Sequence, residues 1–389
     1  MTSISLGRRT HRVNKCFRPI ECFDPVLRSL EQHVPIKTQG KWSQKEISQY
    51  LVGMAAERQS IHSVQKLFVA RPCETSMRHH LKKLDMEQIM NTNHQFLIKP
   101  VLDILPKGKK CVFAIDSTDD PYYGEIVPMN KEYVMGSRLK KSTSTFYRYI
   151  SLYLIEGNRK LTLSMLPVRN DMPALKYIAY FLDIISKTGL KIKALLLDRE
   201  FYSIEILSLL MQQNTPFIMP VKKQSARMKE FLSDGRSSSA IKYCMKSQGK
   251  GSVELSVLKV VKYLKGRSKK HGILHVGYVI NNIAWKPLNL AKTYEKRFAI
   301  ESSYRMRNTV RARTTTKNPT IRYLLALISM LLKNIWVAIR WRYFTISKQG
   351  PRQVVKDAFR FDHYRLIIWN AIITQLGFRH NVPVIRNKG

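Results

Sequence analysis

The stretch CVFAIDSTDDPYYGE, residues 111–125, runs an apolar segment straight into Asp116, with Asp119 and Asp120 close behind. Buried strands seldom end in clustered carboxylates, because like charges repel and desolvation opposes ionisation. A second apolar run, ALLLDREFYS, ends the same way at Asp198, with Glu200 two residues on as an alternative. Two such carboxylates side by side stay ionised readily only around a cation, and oxygen donors suit a hard divalent ion such as magnesium or manganese. A third acid would complete a two-metal site, and Glu301 in YEKRFAIESSYR is the candidate. Tyr294, Arg297 and Glu301 fall at spacings of three and four, so one helix would carry them on one face. The chemistry of such a set is attack of a hydroxyl on phosphorus. Asp119 and Asp120 read as turn residues before Pro121.

Charge points to the same substrate class. The 389 residues hold 67 Lys and Arg against 27 Asp and Glu, a net charge of +40. That balance seeks polyanions, nucleic acid first and an anionic membrane surface second. Between Glu301 and Asp357 there is no acidic residue and there are twelve basic ones, which reads as a DNA channel holding phosphates without regard to sequence. Five scattered cysteines with no CxxC pair argue against a zinc finger or a disulfide scaffold and fit a reducing interior. The N-terminus lacks the apolar core of a signal peptide. The most apolar segment, residues 324–341, is interrupted by Lys333, Asn334 and Arg340 and reads as a buried helix rather than a membrane span.

The elements that must position these residues follow from periodicity. Residues 1–104 read as a helical N-terminal DNA-binding region. Ser43 would cap a helix with an apolar face through Ile47, Leu51 and Ala55. A helix, a turn at Arg71-Pro72 and a second helix follow. Thr75 or Ser76 would cap that second helix, whose exposed face carries Arg78, His79, Lys82 and Lys83 and would suit a major groove. Residues 105–223 give strand, strand, strand, helix, strand, helix, strand. Strands one and four, the two that end in aspartate, are central neighbours in a ribonuclease-H-like mixed sheet. Residues 224–285 read as a β-rich insertion, 286–345 as the return of the core with the Glu-bearing helix, and 346–389 as a basic helical tail.

With these residues in hand, the chain resembles the DDE transposases of prokaryotic insertion sequences, of the insertion-sequence-four type. Their signature runs Tyr, two residues, Arg, three residues, Glu, six residues, Lys. Tyr294, Arg297 and Glu301 keep that spacing, and Asn308 stands at the last position with Arg305 and Arg307 beside it. AIDSTDDPYYG and LLLDREFYS resemble the two Asp motifs, and the long interval before Glu301 matches a β-rich insertion. The resemblance covers roughly residues 105–345. It implies a ribonuclease-H-like fold and cut-and-paste transposition by a homodimer or larger synaptic complex on double-stranded DNA, in a prokaryotic cytoplasm at the nucleoid and with no membrane. Asp116, Asp198 and Glu301 would be the catalytic residues and the ligands of two magnesium or manganese ions. Tyr294, Arg297, Arg305, Arg307, Arg78 and Lys82 would contact DNA. The alternatives are a structure-selective nuclease on the same fold and an inactive DNA-binding descendant.

Overall fold

A computed structural model describes residues 18–380 apart from 39, 70–71, 224, 234, 250, 265–271, 348–349 and 356, together with the backbone of 3–5 and 10–12. Arg71 of the expected turn, residues 265–271, Lys348, Lys356 and residues 381–389 lie outside the described residues.

Two short strands not expected in a helical region, Ser3–Ser5 and Thr10–Arg12, pair antiparallel, and five helices follow: α1 (Ile20–His33), α2 (Gln44–Ala56), α3 (Ile61–Gln65), α4 (Glu74–Lys82) and α5 (Met86–Ile98). Ser43 caps α2 through a reciprocal box with Glu46, and every residue from Ile47 to Ala56 is buried. The α4 cap departs from expectation. Cys73, not Thr75 or Ser76, accepts the Ser76 N–H on its Sγ at 3.4 Å. The helix before it is also shorter than expected, five residues ending at Gln65.

A nine-stranded mixed sheet follows: β1 (Lys110–Pro121), β2 (Val134–Lys140), β3 (Thr143–Glu156), β4 (Arg159–Pro167), β5 (Lys191–Leu197), β6 (Phe217–Pro220), β7 (Ser239–Ser247), β8 (Gly251–Leu264) and β9 (Gly272–Asn281). Its order is β2-β3-β1-β5-β6-β9-β8-β7, with β4 on the outer side of β3 alongside β2. β1, β3 and β4 form an antiparallel meander, and β1, β5 and β6 run parallel. The helix α6 (Ala174–Lys187) makes the crossover from β4 to β5, and α7 (Ile204–Gln212) that from β5 to β6. β2 was not legible beforehand, because its outer half, Ser137–Lys140, is exposed or half-buried and carries no apolar alternation. The strands of residues 239–281 extend the same sheet, since β9 pairs antiparallel with β6. The helix α8 (Ala226–Ser233) packs on β9 at Gly277, where a Cβ would meet Leu232 Cδ2 at 2.9 Å.

The chain then returns through α9 (Pro287–Glu295), α10 (Phe298–Asn308), α11 (Pro319–Tyr343) and α12 (Phe361–Leu376). Length and composition alone would let α11 cross a membrane, yet 89% of its apolar window is buried within the protein. Two of the polar residues that interrupt it, Lys333 and Asn334, serve the open edge of β4, while Arg340 donates to Val355 O. A bulge between Leu152 and Tyr153 shifts the β3–β4 register. The Asn334 amide takes the place of a missing strand neighbour, accepting from Thr162 N at 3.0 Å and donating to Thr162 O at 2.7 Å. Asn93 accepts from Met165 N at 3.0 Å, Tyr323 donates to Met165 O at 2.6 Å, and buried Lys333 donates to Lys160 O. Each satisfies a backbone group that no strand could reach. Lys333 thereby leaves the list of DNA contacts that the basic run suggested.

Asn334→Ala strands the Thr162 N–H and C=O in the core. Urea denaturation should record a loss of roughly 2–4 kcal/mol, and a loss below about 1 kcal/mol would show that the amide is not what satisfies this edge.

Candidate active site

β1 does not stop at Asp116, as the apolar run suggested, but continues to Pro121 against β3. What stops is its other partner. The parallel pairing with β5 ends at Ile115↔Leu197, so Asp116 and Asp198 emerge side by side where the sheet opens. Asp198 leaves β5 as the cap of a short turn, accepting from Arg199 N at 2.7 Å. Asp116 is 8% exposed, and its Oδ1 accepts from Ser117 N at 3.0 Å.

The signature segment is two helices rather than one. α9 ends at Glu295 and α10 begins at Phe298. Between them the bonds tighten to a three-residue step, with Arg297 N to Tyr294 O at 2.9 Å and Ile300 N to Arg297 O at 2.9 Å. That junction drives the Arg297 side chain into the sheet. Its Nη1 lies 3.0 Å from Asp116 Oδ2, and its Nη2 lies 3.9 Å from Asp198 Oδ2 and 3.7 Å from Glu301 Oε1. One buried guanidinium therefore gathers all three carboxylates named from the sequence. Its Nε is buried with no hydrogen-bond partner among the described residues.

Two tyrosines fix the backbone beneath. Tyr294 donates to Leu197 O at 3.2 Å, one residue before Asp198, and its ring packs on Tyr278 with centroids 5.2 Å apart. Tyr304 donates to Asp116 O at 3.0 Å and accepts from Ser151 Oγ at 2.7 Å. Tyr304 was missed in the sequence, although it falls three residues after Glu301 on the same helix face. Tyr294 is buried, so here it positions a strand end. Glu200 turns toward β1 and accepts from Ser117 Oγ at 2.9 Å.

The remaining candidates separate. Asp119 and Asp120 are strand residues in ion pairs, not turn formers. Arg148 holds Asp119 at 2.7 Å with Lys140 at 3.5 Å, while Arg307 and Arg311 share Asp120. Arg307 is fully buried, which corrects its reading as a DNA contact: no phosphate can reach a guanidinium enclosed by the core. It instead clamps α10 along β1. Arg305 is exposed and touches only Ser302 Oγ, at 3.4 Å, among the described residues. Asn308 accepts from Arg307 Nη2 at 3.2 Å. Arg78 and Lys82 lie on the exposed face of α4, with Arg78 paired to Glu74 one turn away.

Burial pushes the Asp116 carboxyl up to about 7, and the negative charges of Glu200 and Asp198 push the same way against the opposing pull of Arg297 and the Ser117 N–H. Burial disfavours the Arg297 cation, but Tyr294 and the three carboxylates outweigh it and hold the guanidinium charged. All three acids offer the hard oxygen donors that a divalent ion takes. With the guanidinium among them they do not close into a ligand cluster, and no group of three or more metal-ligating residues occurs among the described residues.

The fold is similar to that of a DNA transposase. One similar solved structure is the piggyBac transposase in a synaptic complex with hairpin DNA, at a TM-score of 0.55 and 11% sequence identity, covering 93% of this chain and 81% of that one. No family model matches the chain, and no curated protein matches it.

Two outcomes follow from the charge arrangement. Between the ordinary aspartate range near pH 4 and about 7 the folded protein holds a proton on Asp116 that the unfolded chain has released. Metal-free stability should therefore fall as pH rises through that window, by roughly 2–4 kcal/mol, and Asp116→Asn should flatten the dependence in thermal unfolding. Arg297→Met should lower the metal-free melting temperature most above pH 7, where Asp116 is ionised without its cation. A variant melting equally at pH 5 and pH 8 would refute that role.

Proposed function

We propose that this protein is a DDE transposase with a ribonuclease-H-like core, of the insertion-sequence-four type, acting on DNA by metal-dependent cut and paste. The observation that carries the reading is the convergence of Asp116, Asp198 and Glu301 on the single guanidinium of Arg297. The strand order supports it: an antiparallel meander of β1, β3 and β4 beside parallel β5 and β6 is the arrangement of ribonuclease-H-like cores. The likeness to a transposase fold supports it further.

In this reading Asp116, Asp198 and Glu301 hold magnesium or manganese. The bound ions supply activation of the attacking oxygen and neutralise charge on the leaving one. Water breaks the bond between phosphorus and the 3′ oxygen, and the freed 3′-hydroxyl then attacks a phosphate of target DNA, displacing the target strand's own 3′ oxygen, which leaves as a hydroxyl. The chain's own residues do the positioning. Tyr294 and Tyr304 pin the backbone next to each aspartate. Arg307 on Asp120 keeps α10 parallel to β1, so that Glu301 faces the strand ends. Were divalent ions to take its place among the acids, the Arg297 guanidinium would be free to donate to a phosphate oxygen. Both transposon ends would be held by a dimer or larger assembly.

The substrate comes from the gene itself, as short inverted repeats flanking it. With those ends as DNA, cleavage should require magnesium or manganese. Asp198→Asn and Glu301→Gln should each reduce it by more than the roughly 10–100-fold typical of residues outside the metal ligands, with DNA affinity unchanged or tighter. Cleavage that survives both substitutions would remove these residues from the site. Cleavage without strand joining would favour a nuclease.

A further inference from the structure

Past Asp116, the far end of β1 opens into a cleft of about 450 Å³ that contains none of the three converging acids. Arg58, Arg311, Arg313, Arg322, Tyr123 and Thr315 line it. Its single acidic lining residue, Asp120, is already held by Arg307 and Arg311. A second cleft of about 370 Å³ adjoins it, sharing Arg313, Thr314 and Thr315 and reaching Ser60, His62 and Arg78. The two make one basic groove from the exposed face of α4 to the end of β1.

The groove is built rather than incidental. The Arg322 guanidinium lies between the rings of Tyr122 and Tyr147, at 4.9 Å and 4.7 Å, and donates to Thr316 O at 2.6 Å. It thereby shapes the loop that carries Arg313. Arg313 N donates to Gln59 O at 3.1 Å, tying that loop to the end of α2. Arg58 occupies the position just past α2 with φ of 53°, a left-handed conformation that favours glycine. An arginine therefore stands where the backbone would be easier without a side chain. The side chains of Arg58 and Arg313 are exposed and enter no ion pair among the described residues. Tyr123 is 68% exposed, and its hydroxyl donates to Lys141 O at 2.8 Å, which holds the ring at the mouth.

We propose that this groove is a phosphate clamp for DNA, with Arg58 and Arg313 as its two principal contacts and the face of Tyr123 set against the sugar and base of the same strand. The proposal rests on the reading of the protein as one that acts on DNA. β1 rises about 3.3 Å per residue, so the clamp begins about 13 Å beyond Asp116, or about four base steps of duplex. It would grip the strand away from the cut and lead it toward α4.

The test measures binding in EDTA, without any reliance on cleavage. Fluorescence anisotropy follows a labelled mixed-sequence duplex across a sodium chloride series. Arg58→Ala/Arg313→Ala should reduce the slope of log affinity against log salt by about 2 and weaken binding at moderate salt by about tenfold or more. Arg58→Lys/Arg313→Lys should keep the slope. Arg58→Gly, which suits the backbone, should lower the slope by about 1 with an equal or higher melting temperature, so its effect cannot be misfolding. Lys107→Ala/Lys109→Ala, at the opposite end of β1, removes the same charge and should change the slope less. An unchanged slope in the arginine variants, or an equal fall in the lysine control, overturns the clamp alone. A wild-type protein that does not bind duplex at all overturns the clamp together with the DNA reading.

Discussion

Three carboxylates can share one small volume only around positive charge, and in this protein Arg297 supplies it. Much of the surrounding architecture serves to bring that guanidinium and those acids to one point. The parallel pairing of β1 with β5 stops one residue short of both aspartates, which places them abreast. The tightened junction between α9 and α10 turns Arg297 inward. Tyr304 and Arg307 then hold α10 along β1, through the Asp116 carbonyl and the Asp120 carboxylate. The Tyr304 and Arg307 contacts join residues 188 and 187 positions apart, so the centre is a product of the complete fold.

The same logic explains an otherwise awkward composition. A long helix of nearly all apolar residues with a lysine and an asparagine at its middle looks like a compromised core element. Set against β4, those residues complete an edge that would otherwise present unpaired backbone groups to hydrocarbon. On its other edge the sheet is not closed by a helix but continues through β9, β8 and β7. The segment between Asp198 and Glu301 is therefore an extension of the sheet that carries Asp198.

How much of this was legible follows from what kind of interaction decides each feature. Asp116 and Asp198 could be placed together because apolar runs and a crossover helix specify strand order with local information. Glu301 and Arg297 followed from spacing. Asp119, Asp120 and Arg307 were misread because their fates depend on partners far along the chain. Arg148, 29 residues from Asp119, and Arg307, 187 residues from Asp120, keep β1 extended through what looks like a turn. A basic run gives no sign of which cations face inward; Arg307 and Lys333 are among the most deeply buried residues, while Arg305 and Arg313 are exposed. The cap at Cys73 was invisible because thiols rarely fill that role. The basic groove was legible only as excess charge, since Arg58 and Arg313 meet through the end of α2 rather than through any motif.

The last described helix closes on the first ones. Gly53 of α2 lies under Ile372 of α12, Phe68 stacks near Trp369 with centroids 5.4 Å apart, and Val69 N donates to Gly377 O at 3.0 Å. On a ribosome α2 is made long before α12. The apolar side of α2 thus waits uncovered until the chain beyond residue 361 has emerged. Premature termination anywhere before residue 361 leaves α2 without the cover of α12 even when every carboxylate of the centre has been synthesised. A truncated product of this gene would carry the acids and the basic run but not a finished N-terminal half, and its exposed α2 surface would mark it for aggregation or proteolysis.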